Sequence, residues 1–279
     1  MSTTRILITG LLAAALAVST GCRKPEEAPG KARSEVIEAA PSTPAGAAAP
    51  LAFDSKTSAA EVSLKLPAEL ARQPDLHARL YSEGVASLRQ FSEGAANERA
   101  ELGEGEGAPQ QPYTREVAWS VGADTGKLLS VWSLQLEYTG GAHGNSSFNA
   151  VLWDKALKKL IAAPTLFGPG VDEPMNRALC EALTAAKKER LGDTYTEPSA
   201  DTWTCPKWRE TTFTLVPSTA PGKAGGLVFL IPPYMAGAYA EGDYRVTVPV
   251  GAFKAHLRPA YADEFAGSPS VPKILSAQP

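Results

Sequence analysis

The segment Leu128–Tyr138 restricts the possible folds strongly, because apolar and polar side chains alternate along it. Trp132, Leu134, Leu136 and Tyr138 fall on one side of an extended chain, and the residues between them are polar. Successive side chains of a β-strand point to opposite faces, so this pattern predicts a strand with one buried face. A chain with such a strand needs partner strands and a second layer to cover the apolar side.

Partner strands are predicted from shorter runs of the same kind. They lie over residues 57–66, 115–121, 147–153, 159–161, 212–216, 227–231 and 244–250. Asp124-Thr-Gly126 is typical of a turn between two strands. The short connections predict an antiparallel meander, because only antiparallel neighbours can be joined by tight turns.

Two segments have helical periodicity. Pro74 and Asp75 suit the first turn of a long helix, which ends at the acidic, Gly-rich residues 101–107. A second helix begins at Asp172 and ends before Gly192, and residues 253–257 predict a short third one. The fold class that follows is α+β: antiparallel sheets with two main helices, in two intimately packed subdomains over residues 51–150 and 151–265.

The first 22 residues are organised like an export signal. Arg5 is the only charge before Cys22, and a short apolar run precedes Ser19-Thr-Gly-Cys22. That run is shorter than the roughly 20 residues of a membrane span. The small residues before Cys22 resemble a lipobox, with Ser19 where Leu is most frequent. Residues 1–22 are therefore expected to be a lipoprotein signal peptide and Cys22 its lipidation site. The alternative is an ordinary secretory signal with an incidental cysteine.

Both flanks of the predicted body have a composition typical of disorder. Residues 23–50 are rich in Pro, Ala, Gly and charges and lack apolar periodicity, which predicts a tether. Residues 266–279 are expected to be a flexible tail. With acyl chains on Cys22, the chain is expected to be exported and anchored in a membrane of the cell envelope. Arg23 after the cysteine favours the periplasmic face of the outer membrane over the inner membrane.

Charge and cysteine content limit the classes of partner. The formal net charge is −3 and Lys and Arg are not clustered, which argues against a nucleic-acid partner. The chain has three cysteines, and Cys180 and Cys205 remain once Cys22 is lipidated. In an oxidising compartment such a pair is expected to form a disulfide, the alternative being two free thiols. The spacing of His, Cys, Asp and Glu predicts no metal site, and no cofactor is expected.

Several short motifs together resemble a known family. They are Tyr138-Thr-Gly-Gly-Ala-His-Gly144, Leu166-Phe167, Pro232-Pro-Tyr234, Ala238-Tyr-Ala-Glu-Gly242 and Val246-Thr-Val-Pro249. In this order they resemble a DUF4163 domain followed by a DUF3298 domain, over roughly residues 52–262. The family includes the lysozyme-binding extracellular region of an anti-sigma factor, a domain attached to a peptidoglycan deacetylase, and stand-alone lipoproteins. The resemblance implies a non-catalytic envelope lipoprotein that binds a lysozyme-like protein or a peptidoglycan-derived fragment.

The candidate ligand-binding residues come from two of these motifs. Gly141 and His143 lie in the Gly-rich turn, where His143 is a ligand contact, a general base, or a residue that ties the turn by hydrogen bonds. Pro233, Tyr234 and Tyr239 form an aromatic and proline corner. Rigid aromatic side chains on loops are common anchors for protein partners, although they also cap cores.

An envelope hydrolase is the alternative function, with His143 and a nearby carboxylate. The sequence has no Gly-x-Ser-x-Gly elbow for a serine nucleophile, so no catalytic residue is assigned. Glu137 and Asp154 are a less favoured carboxylate pair, because charges on exposed strands are usually solvated. The hydrolase hypothesis requires an Asp, Glu or Ser within hydrogen-bond reach of His143.

Overall fold

A computed structural model of the chain describes residues 48–103 and 111–275. Within them, one sheet has six strands in the order β1-β2-β3-β4-β5-β6. These strands are β1 (Ala52–Lys56), β2 (Ala60–Lys65), β3 (Tyr113–Asp124), β4 (Leu128–Tyr138), β5 (Asn145–Asp154) and β6 (Lys159–Ile161). From β3 to β6 each strand pairs antiparallel with the next, as the predicted meander requires.

The N-terminal part of this sheet differs from the prediction. The single strand expected over residues 57–66 is preceded by a second strand, β1, which pairs antiparallel with β2. Thr57 closes the turn between them, and its Oγ1 accepts the backbone N–H of Ala60 at 2.9 Å. β2 pairs parallel with β3, so the expectation of antiparallel pairing is wrong for these two strands. A long helix follows β2 and returns the chain to the same end of the sheet, as parallel neighbours require.

That helix, α1 (Pro74–Leu102), confirms the predicted long helix and covers one face of the first sheet. Its buried apolar side chains recur at helical spacing, and they pack on the inward side chains of β2 and β4. The buried apolar residues of α1 are Leu76, Leu80, Val85, Leu88 and Ala95. Each fully buried Leu contributes roughly 2 kcal/mol through removal of apolar surface from water, so α1 is held mainly by this face.

The second sheet has three antiparallel strands in the order β7-β8-β9. They are β7 (Thr212–Pro217), β8 (Ala224–Ile231) and β9 (Tyr244–Pro249). Every residue of β8 is buried because both of its faces are covered. Phe229 belongs to the core that contains helix α2 (Asp172–Leu191), whereas Val228 packs with Trp132 of the first sheet.

The two sheets are in close contact where β3 and β4 face β7. Ser130 Oγ lies 2.9 Å from Thr214 Oγ1 and accepts the backbone N–H of Leu215 at 3.1 Å. A Cβ on Gly122 would lie 2.0 Å from Thr214 Oγ1 and 2.6 Å from the carbonyl oxygen of Leu215. Gly122 therefore permits the close approach of the two sheets at a bulge in β3.

The C-terminal part of the described chain is ordered beyond the predicted limit. The flexible tail expected from residue 266 is wrong for residues 266–275, because Leu275 is fully buried and the Arg245 guanidinium donates to the carbonyl of Ile274 at 2.5 Å. The short helix expected at residues 253–257 is instead a 3-10 turn, and α3 (Pro259–Ala262) follows it. Apolar contacts to Val228 and Leu230 explain why the tail packs.

The overall class is mixed α and β with two mostly antiparallel sheets and two main helices, as predicted. Residues 48–103 and 111–275 belong to one compact unit, and the boundary predicted between residues 150 and 151 falls inside β5. The predicted signal peptide, Cys22, most of the predicted tether, residues 104–110 and residues 276–279 lie outside the described residues.

Candidate functional site

The Gly-rich turn of the sequence joins β4 to β5. Gly140 and Gly141 have φ values of 93° and 89°, a region that residues with a Cβ rarely adopt. The hydroxyl of Tyr138 donates to the carbonyl oxygen of Gly141 at 3.2 Å. The two glycines thus allow the chain to reverse tightly and to place His143 at the surface just before β5.

The second loop of the site joins β8 to β9 and carries the proline and tyrosine residues. Tyr234 has φ of 70° although it is not glycine, and its side chain is 64% exposed. A left-handed backbone at a residue with a Cβ costs about 1–2 kcal/mol. Burial of the side chain does not offset that cost, so the loop holds an exposed tyrosine in a strained conformation.

The two loops meet through their aromatic side chains. The rings of His143 and Tyr239 stack with centroids 3.8 Å apart and planes inclined by 16°. The hydroxyl of Tyr239 donates to the carbonyl oxygen of Gly144 at 2.6 Å, and the ring of Tyr234 lies 5.5 Å from that of Tyr239. We call His143, Tyr234 and Tyr239 the aromatic cluster. The two other residues predicted as ligand contacts, Gly141 and Pro233, lie in the same two loops. All five predicted contact residues are therefore in this region.

The hydrogen bonds of His143 determine which ring nitrogen carries the proton. Nδ1 lies 3.0 Å from the carbonyl oxygen of Gly144, which can only accept, so a neutral His143 carries its proton on Nδ1. Nε2 then accepts from the hydroxyl of Tyr234 over 3.4 Å, a long hydrogen bond. Among the described residues, no carboxylate and no serine hydroxyl hydrogen-bonds to His143, so the requirement of the hydrolase hypothesis is not met.

The two carboxylates of the alternative pair and the other two histidines of the chain lie in separate places. Glu137 accepts from Nε of Arg115 at 2.6 Å near one end of β4, whereas Asp154 pairs with Leu128 at the other end. The proposed carboxylate pair is therefore wrong. His77 and His256 hydrogen-bond to backbone carbonyls far from the cluster. Residues 48–103 and 111–275 contain no group of three His, Cys, Asp or Glu side chains arranged to hold a metal ion.

A buried ion pair fixes the loop that carries Tyr239. Lys187 of α2 is 1% exposed, and its Nζ lies 2.5 Å from Oε2 of Glu241 and 2.6 Å from the carbonyl oxygen of Ala236. The hydroxyl of Tyr244 donates to the same carboxylate at 2.7 Å. One signal for this contact is present in the sequence, because Lys187 continues the four-residue spacing of the buried residues Met175, Leu179 and Leu183.

Burial and hydrogen bonding act in opposite directions on the carboxylate of this pair. Burial alone raises the pKa of the Glu241 carboxyl, but hydrogen bonds from Lys187, Tyr244 and the backbone N–H of Ala238 outweigh it, so the pKa lies below its usual value. Burial and the neighbouring carboxylate raise the pKa of Tyr244. Glu241 is therefore ionised at neutral pH, and its hydrogen bonds hold the β8–β9 loop in place.

A groove of about 620 Å³ runs along the first sheet beside the aromatic cluster. It is lined by strands β3, β4 and β5 on one side and by the β8–β9 loop on the other. The residues that matter for its chemistry are Glu116, Leu136, Tyr138, Ser146, Pro233 and Tyr239. An open groove with a stacked aromatic wall and polar side chains can hold a ligand through ring contacts and hydrogen bonds.

The second half of the body carries a disulfide, as predicted, between Cys180 and Cys205 with Cα atoms 5.3 Å apart. It links α2 to the segment before β7, and Nζ of Lys187 lies 4.3 Å from the ring centre of the nearby Trp203. None of the helices within the described ranges has both the length and the hydropathy needed to cross a bilayer.

Comparisons with known proteins found one matching family model and similar solved structures. Residues 54–146, less than half of the chain, match the family model of deacetylase PdaC. No curated protein matches. A DUF3298 family protein from Pseudomonas aeruginosa PAO1 is 17% identical with a TM-score of 0.48, covering 79% of this chain and 99% of that one. A DUF3298 family member from Bacteroides fragilis NCTC 9343 is 18% identical with a TM-score of 0.47, covering 74% and 87%.

Two structural neighbours of this chain are DUF3298 family proteins, and the DUF4163 part of the predicted resemblance stays a prediction. The matched segment 54–146 extends from β1 to the start of β5 and contains the loop of His143, but it ends before the loop of Tyr234. The chain is thus similar to solved DUF3298 family proteins and, over residues 54–146, to the family model of deacetylase PdaC.

Proposed function

We propose that the chain is a non-catalytic binding module of the cell envelope, with the aromatic cluster as its contact surface. Its ligand is a lysozyme-like protein or a peptidoglycan-derived fragment. The observation that carries this proposal is Tyr234, a 64% exposed aromatic residue on a left-handed backbone. Backbone strain persists where function requires a particular side-chain position, and an exposed ring gains its stabilisation only when a ligand covers it.

The cluster is also preorganised for binding. Tyr239 is held by stacking on His143 and by its hydrogen bond to Gly144, so its ring loses little freedom when a ligand binds. Tyrosine offers a large amphipathic contact surface with few rotatable bonds, which is why it is frequent at binding hot spots. The neighbouring Met235 is 38% exposed and extends the apolar tip of the loop.

Anchoring of the protein in the cell envelope is part of the same proposal. An acylated Cys22 and the segment 23–50 would hold the body at a membrane surface while leaving the cluster accessible. Several acyl chains on one cysteine give firm anchoring, since each buried methylene contributes about 0.8 kcal/mol. Mass spectrometry of the mature N-terminus tests this part, and an unmodified cysteine or a cleavage site elsewhere would refute it.

Retention on immobilised lysozyme and on muropeptides tests the binding function. We expect micromolar or tighter binding to one of them, and a loss of about tenfold for Y234A or Y239A, since hot-spot truncation costs more than 1 kcal/mol. Y195A is the matched control, because Tyr195 hydrogen-bonds to Glu197 at another place on the surface. No binding to either ligand, or binding that both cluster variants leave unchanged, contradicts the proposal.

A second function follows from the description of the family model as a deacetylase. Incubation of the full chain with N-acetylated glycan and measurement of released acetate tests it. Acetate release above that of a heat-denatured sample would replace the non-catalytic proposal with an enzymatic one. Binding without acetate release leaves the binding module as the function.

A further inference from the structure

The first sheet has an open face on the side opposite α1, beyond the area that the second sheet covers. Strand register places five residues in one row across this face, one from each of β1 to β5. They are Asp54, Ser63, Glu116, Leu136 and Ser146. All five are exposed or half-buried. Because laterally paired residues point to the same face of a sheet, their side chains form a continuous strip.

This strip is the floor of a groove longer than the cavity beside the aromatic cluster. A second cavity of about 480 Å³ lies over β1, β2 and β3, and both cavities are lined by Thr114 and Glu116. Five strands at a spacing of 4.7–4.9 Å make the floor roughly 19 Å long. At its far end stand Tyr239 and Pro233, so the groove leads directly to the aromatic cluster.

Some acidic residues of the groove form ion pairs and others do not. Glu61 pairs with Lys56, and Glu137 pairs with Arg115. In the described parts of the chain, Asp54 and Glu116 have no ion-pair partner. They lie two strands apart in the row, roughly 10 Å by strand spacing. Lys65 at the rim is the only basic lining residue outside these pairs, and it stands one row away from both carboxylates.

We infer that this groove binds a linear oligosaccharide that carries primary amines, an amino-sugar glycan. The carboxylates of Asp54 and Glu116 accept from ammonium groups, the hydroxyls of Ser63 and Ser146 exchange hydrogen bonds with sugar hydroxyls, and Tyr239 stacks on a sugar ring. The inference rests on the proposed function and names its ligand class. A protein occupant is less well matched, because among the described residues Val62 is the one apolar side chain that lines the cavity over β1, β2 and β3, and protein interface cores are apolar.

Calorimetric titration of the full chain with a glucosamine hexamer and with an N-acetylglucosamine hexamer tests the inference. We expect the glucosamine hexamer to bind at least about fivefold tighter, and its affinity to fall as salt is added. D54N and E116Q should each weaken it by about two- to fivefold, the range for an exposed charge pair. E93Q is the matched control, since Glu93 is exposed on α1, on the other side of the sheet.

The outcomes separate this inference from the proposed function. Equal affinity for both hexamers, no binding of either, or no effect of D54N and E116Q overturns the amino-sugar groove. If lysozyme or muropeptide binding that depends on Tyr234 and Tyr239 persists in those cases, the proposed function stands. If lysozyme binding alone is weakened by D54N and E116Q, the groove belongs to a basic protein and the inference is wrong. Thermal unfolding of each variant establishes that it is folded.

Discussion

His143 and Tyr239 lie face to face across the gap between two loops, with ring centroids 3.8 Å apart. The loops belong to different sheets, one joining β4 to β5 and the other joining β8 to β9. Stacking and the hydrogen bond from Tyr239 to Gly144 therefore connect the two sheets at the surface. This connection makes one binding surface of residues that are about ninety positions apart in the chain.

The left-handed backbone of Tyr234 predicts that glycine at this position relieves strain, whereas loss of the ring weakens ligand binding. Y234G should be more stable than Y234A by about 1 kcal/mol, because glycine adopts positive φ without steric cost and alanine does not. Both variants should bind ligand equally weakly, since both lack the ring. Urea unfolding and ligand titration of the pair measure this. Equal stability of the two variants would show that the backbone at residue 234 is not strained.

The close approach of the two sheets at Gly122 predicts a large effect of a single methyl group. G122A should destabilise the fold by about 1–3 kcal/mol, because the new Cβ would overlap Thr214 Oγ1 and the carbonyl of Leu215. G94A is the matched control, because Gly94 lies inside α1 and a Cβ added there would meet nothing within 4 Å. Alanine there should stabilise by about 0.5–1 kcal/mol. Thermal melts in which the two variants shift together would refute this explanation.

The buried pair of Lys187 and Glu241 predicts an asymmetric pattern of variants. K187M should lower the free energy of unfolding by about 3 kcal/mol, because it leaves a half-buried carboxylate without its cation. K187M/E241Q should recover part of that loss. K188M is the control, since the pair of Lys188 and Glu197 is largely exposed and contributes less than about 1 kcal/mol. Equal losses for K187M and K188M in denaturant titrations would contradict a role for burial.

The lowered pKa of Glu241 predicts how stability depends on pH. A carboxyl whose pKa is lower in the folded state stabilises the fold above its unfolded pKa, and that stabilisation is lost as pH falls through the folded pKa. The wild type should therefore lose stability more steeply below about pH 4.5 than E241Q, which has no titrating group there. Urea unfolding between pH 3 and pH 7 measures both slopes. Parallel curves for the two proteins would mean that Glu241 titrates normally.

Local patterns were sufficient for most of the fold. Alternation located β4, helical spacing located α1 and α2, and glycine and proline located the turns, because these signals depend on neighbouring residues. Three features could not be found this way. β1 has only five residues and weak alternation, and the parallel pairing of β2 with β3 depends on the path of α1. The packing of residues 266–275 depends on contacts with distant strands, which composition does not report.

The candidate site shows the same division between local and long-range signals. His143 was predicted in one loop and Tyr234 and Tyr239 in another, yet the contact between the two loops arises only from the packing of the two sheets. The buried role of Lys187 also depends on Glu241, which is fifty-four residues away. The row of Asp54 and Glu116 depends on strand register, and one of its strands was not predicted. The candidate residues could therefore be predicted from the sequence, but their spatial arrangement could not.

Chemical-shift mapping of the isotope-labelled chain during titration with muropeptide, and separately with lysozyme, shows whether the aromatic cluster binds either ligand. We expect one of these ligands to perturb the ring signals of His143, Tyr234 and Tyr239 together, with a single saturation curve. The ring signals of Tyr195 should stay unchanged at the same ligand concentrations. Saturable binding that perturbs Tyr195 or other distant residues while leaving the aromatic cluster unchanged would contradict the binding-module proposal.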